Sequence, residues 1–277
     1  MQEIHPIDLL FNKLKDISPY PDGVIPVPKR LEGEGFFPGS AGVWGIKPNH
    51  PLPPMPIGGV MILGHDWGTE VYYDQDLADR GEHLKSPTSR TLRWLLAQVH
   101  IPVHACFFTN VYMGLRAGSA KITGRFPGAR SPHFVHQCQT FLAYQIATQR
   151  PRLILTLGVH VPAVIAPLSA DLAGWARCKG FRALDLHGPA MIPIVHFHGP
   201  VNVTATVVAL THPCLWHRCV VWRQYGVLQG REAELQMLHD AITFSGLRRL
   251  YHEPEARVPS SRVTVQRAAK RVPVVGA

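Results

Sequence analysis

Four short apolar runs constrain the fold of this chain more than any other feature of its sequence. Each run is rich in β-branched or aromatic residues and lacks strict alternation of apolar and polar positions. This composition is typical of strands that are buried on both faces, which occur in parallel sheets. The runs occupy residues 59–64, 103–108, 153–158 and 204–210.

Between the runs lie stretches in which apolar residues recur every three or four positions, as they do on one face of a helix. They occupy residues 88–99, 131–148, 161–172 and 231–244, and a short amphipathic helix is expected at residues 3–15. Alternation of strands and helices predicts an α/β fold, a three-layer α/β/α sandwich with a central four-stranded parallel sheet and right-handed crossovers.

The chain of 277 residues, 46% of them hydrophobic, is long enough to bury one sizeable core. Proline and glycine are frequent between Pro19 and Pro56, which favours extended segments and loops over helices. We therefore expect an N-terminal arm with Pro/Gly-rich loops at residues 1–57, an α/β domain at residues 58–250 and a basic C-terminal tail at residues 251–277.

No apolar run reaches the roughly 18 residues of a membrane span, and the N-terminus carries acid where a signal peptide would be basic. We expect a cytoplasmic, monomeric protein with no membrane association and no obligate protein partner. The five cysteines contain no Cys-x-x-Cys pair, which argues against a zinc ribbon or an iron–sulfur cluster. His196 and His198 share a strand face but have no clear third ligand, so we expect no metal and no other cofactor.

The formal net charge of +9 suits a polyanionic partner such as nucleic acid, although it is also compatible with an ordinary basic protein. In an open parallel sheet the functional site lies outside the carboxyl ends of the strands. Three of the four runs are followed by a side chain suited to base chemistry: Asp66, Asn110 and His212. Together they predict a site that holds a planar heterocycle and a water molecule.

Each of these residues also has a purely structural interpretation. Asp66 is suited to orient a water and to stabilise positive charge on a sugar, or else caps the next helix. Asn110 matches the N3–H and O4 of uracil, or else satisfies the backbone of its own turn. His212 is suited to donate to a carbonyl oxygen that gains negative charge, or else belongs to a plain His-Pro turn.

The segments around these residues resemble motifs of the uracil-DNA glycosylases. Residues 64–68 (Gly-His-Asp-Trp-Gly) resemble that family's Gly-Gln-Asp-Pro-Tyr loop, and residues 108–116 resemble its Leu-Leu-Asn-x-x-Leu-Thr-Val-Arg segment. Residues 155–158 resemble the intervening strand that ends in Leu-Gly, and residues 211–216 resemble the His-Pro-Ser-Pro-Leu loop. Order and approximate spacing fit, and the resemblance covers roughly residues 58 to 245.

The resemblance implies a DNA repair glycosylase that flips uracil out of DNA and hydrolyses its N-glycosidic bond, leaving an abasic site. Asp66 is implied as the water-positioning acid, Asn110 as the reader of uracil and His212 as the donor to uracil O2. The same resemblance places a substrate-binding group around the base and implies that Leu215 or Trp216 fills the space that the base vacates. The substrate-binding group comprises Asn110, His65, Trp67, Gly68 and Tyr73.

Several positions depart from the family pattern. Trp67 replaces a proline, and Gly68 stands where the best-known branch has a tyrosine that excludes the methyl group of thymine. Exclusion of thymine then requires Tyr72 or Tyr73 to take the place of that tyrosine. Cys214 replaces a phosphate-binding serine, and the base-stacking phenylalanine has no clear counterpart. Candidates for the stacking position are Tyr73, His83 and Leu84.

Contacts to the DNA backbone are expected from three segments. Ser86 and Pro87 resemble the family's Pro-Pro-Ser loop, and Ser86 can also cap the next helix. Arg116 opens a glycine-rich basic loop that ends at Arg130 and either grips phosphates or is simply solvated. The third segment follows His212 and consists of Pro213, Cys214, Leu215 and Trp216.

Two other functions stay open at this point. One is a protein that binds nucleic acid or abasic sites with weak or no catalysis, and the other is a nucleoside N-glycoside hydrolase. The basic charge and the apolar pair Leu215-Trp216 favour DNA over free nucleosides. The presence of Asp66, Asn110 and His212 together favours catalysis over binding alone.

Overall fold

A computed structural model of the protein describes residues 6–26, 55–78, 85–118, 124–187 and 189–248. The expected C-terminal tail, most of the expected N-terminal arm, His83 and Leu84 lie outside the described residues. The strands are β1 (Val24–Ile25), β2 (Val60–Gly64), β3 (Cys106–Asn110), β4 (Leu115–Arg116), β5 (Leu153–Leu157), β6 (Met191–Phe197), β7 (Val203–Leu210), β8 (Gln224–Tyr225) and β9 (Leu228–Gln229).

Eight α-helices lie among the described residues. They are α1 (Pro6–Leu14), α2 (Glu70–Ala78), α3 (Pro87–Gln98), α4 (Pro132–Gln149), α5 (Val161–Ile165), α6 (Phe181–His187), α7 (Trp216–Cys219) and α8 (Gly230–Phe244). Short 3₁₀ segments, among them Ala170–Arg177, Pro213–Leu215 and Val220–Trp222, join some of these helices. The segment predicted as one helix at residues 161–172 is α5 followed by 3₁₀ turns.

The central sheet has five strands in the order β3-β2-β5-β7-β6. The first four are parallel to one another and correspond to the four apolar runs. The predicted α/β class is therefore confirmed, but the sheet has one strand more than predicted. The additional strand, β6, lies antiparallel to β7, contains Pro193 and is interrupted by an irregularity between Ile192 and Val195. Its burial is mixed, as expected at a sheet edge, and Pro193 makes its apolar residues atypical of a central strand.

Helices cover both faces of this sheet. The connection from β2 to β3 and the connection from β3 to β5 run in opposite directions across the sheet. Because such crossovers are right-handed, α3 and α4 lie on opposite faces. α8 lies beside α3, since the guanidinium of Arg231 is 4.5 Å from the ring centroid of Trp94. The result is the predicted three-layer arrangement.

Two helices that flank the site begin with a side-chain cap. Ser86 Oγ accepts a hydrogen bond from Ser89 N at 3.1 Å, and Pro87 occupies the first turn of α3. Ser131 Oγ accepts from Phe134 N at the start of α4. Both caps satisfy backbone donors that have no partner within the helix. No described helix is both long and apolar enough to cross a membrane.

Candidate active site

Two glycines at the ends of central strands make room for the side chains that define the site. Gly64 ends β2 and pairs with Asn110 at the end of β3, and a Cβ on Gly64 would overlap the Asn110 side-chain oxygen. Gly158 follows β5, and a Cβ there would lie 3.3 Å from the Cβ of His212, which follows β7. Asn110 and His212 therefore reach over the strands between them, from opposite sides toward the end of β2.

The carboxylate of Asp66 lies between these two groups and is held by four donors. Oδ1 accepts from Gly68 N at 3.0 Å and from Arg116 Nε at 3.2 Å. Oδ2 accepts from Arg116 Nη2 at 2.9 Å and from His65 Nδ1 at 2.7 Å. The side chain is only 7% exposed. The helix-capping interpretation is not supported, because the backbone donor, Gly68, precedes the first residue of α2.

These contacts keep Asp66 ionised. Burial by itself acts to raise the pKa of the carboxyl group, but the hydrogen bonds from His65 and Arg116 outweigh it and lower the pKa below the ordinary value. Four donors also occupy most of the lone pairs of the two oxygens. Asp66 is therefore suited to stabilise a positive charge and poorly suited to take a proton.

His65 has its second ring nitrogen available for proton transfer. A carboxylate only accepts hydrogen bonds, so His65 Nδ1 is the donor in its bond to Asp66. In the neutral ring, Nε2 then carries the lone pair. The ring packs edge-on against Tyr112, with 5.2 Å between centroids, and lies 5.3 Å from the ring of His160. This arrangement is that of a carboxylate-oriented general base.

His212 has the opposite tautomer. Its Nδ1 accepts from the backbone N–H of Cys214 at 3.3 Å and lies 3.0 Å from the Cys214 thiol. Because Nδ1 accepts, the proton of the neutral ring is on Nε2. Burial lowers the pKa of His212, and the nearby His65 lowers it further, against the opposing effect of Asp66. His212 thus presents a neutral N–H donor.

The Asn110 side chain is almost buried, with 9% of the residue exposed. Within the described part of the chain, no side-chain or backbone group forms a hydrogen bond with its carboxamide. A turn asparagine that satisfies its own backbone would show such a bond. Its donor and acceptor are therefore available to a ligand.

The family comparison agrees with this geometry. A model of the uracil DNA glycosylase superfamily matches residues 58–214, more than half of the chain. The chain belongs to this superfamily. A search among curated proteins found no match. Membership indicates a DNA-repair function of the glycosylase type, with DNA as the partner, and the matched range contains Asp66, Asn110 and His212.

In this superfamily member, Tyr72 lies in contact with the place where a side chain at position 68 would begin. The ring atom Tyr72 Cδ1 is 3.8 Å from the position of a Cβ on Gly68. Tyr73, by contrast, is 2% exposed, and Trp67 is half-buried against the core. For exclusion of the thymine methyl group, this placement favours Tyr72 over Tyr73. Tyr73 is also too buried to stack on a base.

The segments expected to contact the DNA backbone lie side by side. The start of α3, with Ser86, Pro87 and Thr88, lies against Pro213–Leu215 in the loop after His212. Ser86 is committed to capping, since its Oγ also donates to Ser89 Oγ at 2.9 Å. Pro87 and Cys214 are exposed, whereas Pro213 is buried.

Arg116 does not take the phosphate-contacting position that the basic loop suggested. It is 4% exposed, and besides Asp66 it donates to Gly124 O at 3.0 Å and to Arg125 O at 3.4 Å. Its guanidinium is a support for Asp66. The exposed cations of this loop in the described residues are Arg125 and Arg130, and Lys121 lies outside them.

The two candidate wedge residues differ sharply in exposure. Leu215 is 46% exposed, whereas Trp216 is 2% exposed and donates from Nε1 to Glu234 Oε1 at 2.8 Å. Trp216 also packs against Trp94 of α3, with 5.1 Å between ring centroids. Insertion of Trp216 into DNA would require these contacts to break, so the structure favours Leu215.

Sequence reasoning missed the carboxylate that holds the His212 loop. Glu234 of α8 is fully buried, and its Oε2 accepts from Thr211 N at 3.1 Å and from Thr211 Oγ1 at 2.7 Å. Together with the bond to Trp216, Glu234 therefore fixes both ends of residues 212–215. Arg223 Nη1 donates to Glu234 at 2.6 Å and is itself fully buried. The sequence did contain one indication of this role, because Glu234 lies on the predicted apolar face of the helix at residues 231–244.

A second missed residue is His160, which follows β5 at the rim of the site and is exposed. Partial burial of its ring lowers its pKa, and electrostatic interactions with His65 and Arg125 lower it further. Despite these neighbouring histidines, the described residues contain no group of three or more His, Cys, Asp or Glu side chains arranged to hold a metal ion. His196 instead pairs with Asp171 at 3.0 Å.

Proposed function

We propose that this protein excises uracil from DNA by hydrolysing its N-glycosidic bond and leaves an abasic site. The observation that carries the proposal is the presence of three groups at the carboxyl ends of the parallel strands. They are an ionised carboxylate, a carboxamide with no hydrogen bond to the described protein, and a neutral N–H donor. These groups belong to Asp66, Asn110 and His212. Three such groups from three strands match what departure of a uracil anion requires.

Recognition of the base follows from the hydrogen-bonding groups. The Asn110 carboxamide offers one acceptor and one donor in a plane, which complement the N3–H and O4 of uracil. The Nε2–H of His212 donates to O2, where negative charge accumulates as the bond breaks. Tyr72, beside Gly68, supplies the wall that a thymine methyl group would meet.

The chemical step is dissociative. The bond from C1′ to the base nitrogen breaks, its electron pair leaves with the base, and the sugar becomes a cation. The charge of Asp66 stabilises this cation, and the hydrogen bonds from His65 and Arg116 keep Asp66 ionised. Water then adds to C1′ and transfers one proton to His65 Nε2, which is oriented by Asp66. The departed base anion is protonated by solvent.

The decisive experiment is an alkali-cleavage assay on labelled oligonucleotides that contain uracil, thymine or hypoxanthine. Wild-type protein should cleave the uracil substrate, and Asn110→Ala should lose at least tenfold in kcat/KM, because one polar contact pair to the base is removed. Asn202→Ala is the matched control, since Asn202 is exposed and precedes the amino end of β7, away from the carboxyl ends where the site lies. Equal loss in both variants would contradict the role of Asn110.

The same assay separates the alternatives. Tight binding of an abasic oligonucleotide without cleavage by the wild type would indicate a binding protein. Release of base from free deoxyuridine at a rate matching that from DNA would indicate a nucleoside hydrolase. Faster release of hypoxanthine than of uracil would retain the glycosylase and overturn only the base assignment.

A further inference from the structure

Exposed apolar side chains are concentrated in the segment that follows His212. Among the described residues, four of the eleven exposed large hydrophobic side chains fall within residues 215–227. Trp222 is 72% exposed, Val221 57% and Val227 97%. Exposure of a whole tryptophan is unusual because its indole is among the largest apolar groups, and such patches usually mark contact surfaces.

The local geometry places Leu215 and Trp222 on one face of this segment. Pro213–Leu215, Trp216–Cys219 and Val220–Trp222 follow one another as consecutive helical turns. Pro213, Trp216, Val220 and Arg223 form the buried stripe at helical spacing. The opposite stripe carries Leu215, Arg218 and Trp222, three and seven residues apart, and all three are exposed. Trp222 therefore lies on the same face as the wedge candidate.

The charge of this face identifies the occupant. Exposed Arg218 separates Leu215 from Trp222, and His217 is exposed beside it. No acidic residue occurs from residue 212 to residue 231. An exposed aromatic ring beside a cation is the chemistry that binds unpaired nucleic acid, where a base stacks on the ring and a phosphate meets the cation. In a duplex, neighbouring base pairs already cover the base faces.

We propose that Trp222 stacks on an unpaired base near the excised nucleotide, so that the enzyme acts preferentially on single-stranded or locally open DNA. Seven residues of mixed 3₁₀ and α-helix span about 10–14 Å from Leu215 to Trp222. At about 3.4 Å per nucleotide of a stacked strand, this distance corresponds to three or four nucleotides. The inference rests on the proposed glycosylase function for the position of the target base.

The test measures binding without turnover. Fluorescence anisotropy at one fixed salt concentration compares a single-stranded oligonucleotide containing a tetrahydrofuran abasic analogue with the same strand in a duplex. Trp222→Ala should raise Kd for the single strand about 5- to 150-fold, the range for loss of one base–aromatic stack, and change Kd for the duplex less than about twofold. Trp222→Phe should restore most of the single-strand affinity.

Phe244→Ala is the matched control, because Phe244 is 59% exposed at the far end of α8 and should change neither Kd. Equal weakening of both DNA forms by Trp222→Ala, or no change in either, overturns the proposal. So does a shift from dimer to monomer in sedimentation, which would assign Trp222 to a contact between copies. Wild-type protein that fails to release uracil would contradict the proposed catalysis. If Trp222→Ala still weakens binding of single-stranded DNA selectively, the proposed role of Trp222 is supported independently.

Discussion

Two buried arginine–carboxylate clusters flank the site and differ in what the carboxylate can still do. In the first, Arg116 holds Asp66, and the two side chains are 4% and 7% exposed. In the second, Arg223 holds Glu234, and both side chains are fully buried. Arg223 also binds Asp185 and the backbone oxygen of Ala209, so the second cluster is satisfied on every side.

The comparison shows that residue type does not decide whether an ion pair is catalytic or structural. Asp66 contacts His65 and lies between Asn110 and His212, so its field acts on the place where a sugar cation would form. Glu234 directs its oxygens at Thr211 and Trp216, so its charge positions a loop. Four predictions test this division; the first two concern the excision rate and the last two chiefly concern stability.

Asp66→Asn should have the largest effect. Loss of a charge about 4 Å from the developing cation, at an effective dielectric constant near 20, costs about 4 kcal/mol, which is roughly 10³-fold in kcat. Single-turnover excision from a uracil-containing strand measures it. Asp171→Asn is the matched control, because Asp171 also pairs with a histidine but is exposed outside the site. A rate within tenfold of wild type would remove Asp66 from the chemistry.

His212→Ala should follow, with a loss of roughly 10²-fold in kcat, the usual cost of removing one donor from a developing anion. The same variant should bind the abasic product almost as well as wild type, since the donor acts on the departing base. His104→Ala serves as the control, because His104 is exposed and precedes β3, at the end of the sheet opposite the site. An equal loss in product affinity would instead assign His212 to DNA binding.

Glu234→Gln should chiefly lower stability. Breaking a buried pair leaves Arg223 without full compensation and should cost about 3–5 kcal/mol of unfolding free energy, measured in urea. The rate should fall only about tenfold, through looser placement of His212. Asp185→Asn breaks the other side of the Arg223 cluster and should lower stability without the rate loss. If both variants lose activity equally, Glu234 has no specific role in placing the loop.

The smallest effect concerns pH. The folded state lowers the pKa of His212 below its ordinary value of 6.5, so the unfolded chain binds a proton first as pH falls. The contribution of His212 to stability is therefore complete above pH 6.5 and is lost as pH falls through the folded pKa. The decrease in unfolding free energy between pH 7 and pH 5 should be smaller in His212→Ala than in wild type. An identical decrease would contradict a partly buried imidazole that the fold holds neutral.

Much of the fold follows from local patterns. The four parallel strands and the helices near residues 88–99, 131–148 and 231–244 were predictable, because burial on both sheet faces or on one helix face leaves a periodic apolar signal. β6 escaped prediction because an edge strand with a proline and an irregular register leaves no such signal. Arg116 was predicted to contact DNA because it is positively charged. The sequence does not show that its guanidinium instead hydrogen-bonds Asp66, fifty positions away.

The sequence by itself determined the α/β class, the order of the parallel strands along the chain and which polar residues follow them, since these depend on neighbours in the chain. Only the tertiary structure decided the tautomers of His65 and His212, the burial of Trp216 and the exposure of Trp222. These properties depend on partners such as Glu234 that are distant in sequence, and hydrogen bonding and desolvation act only once folding has brought such groups together.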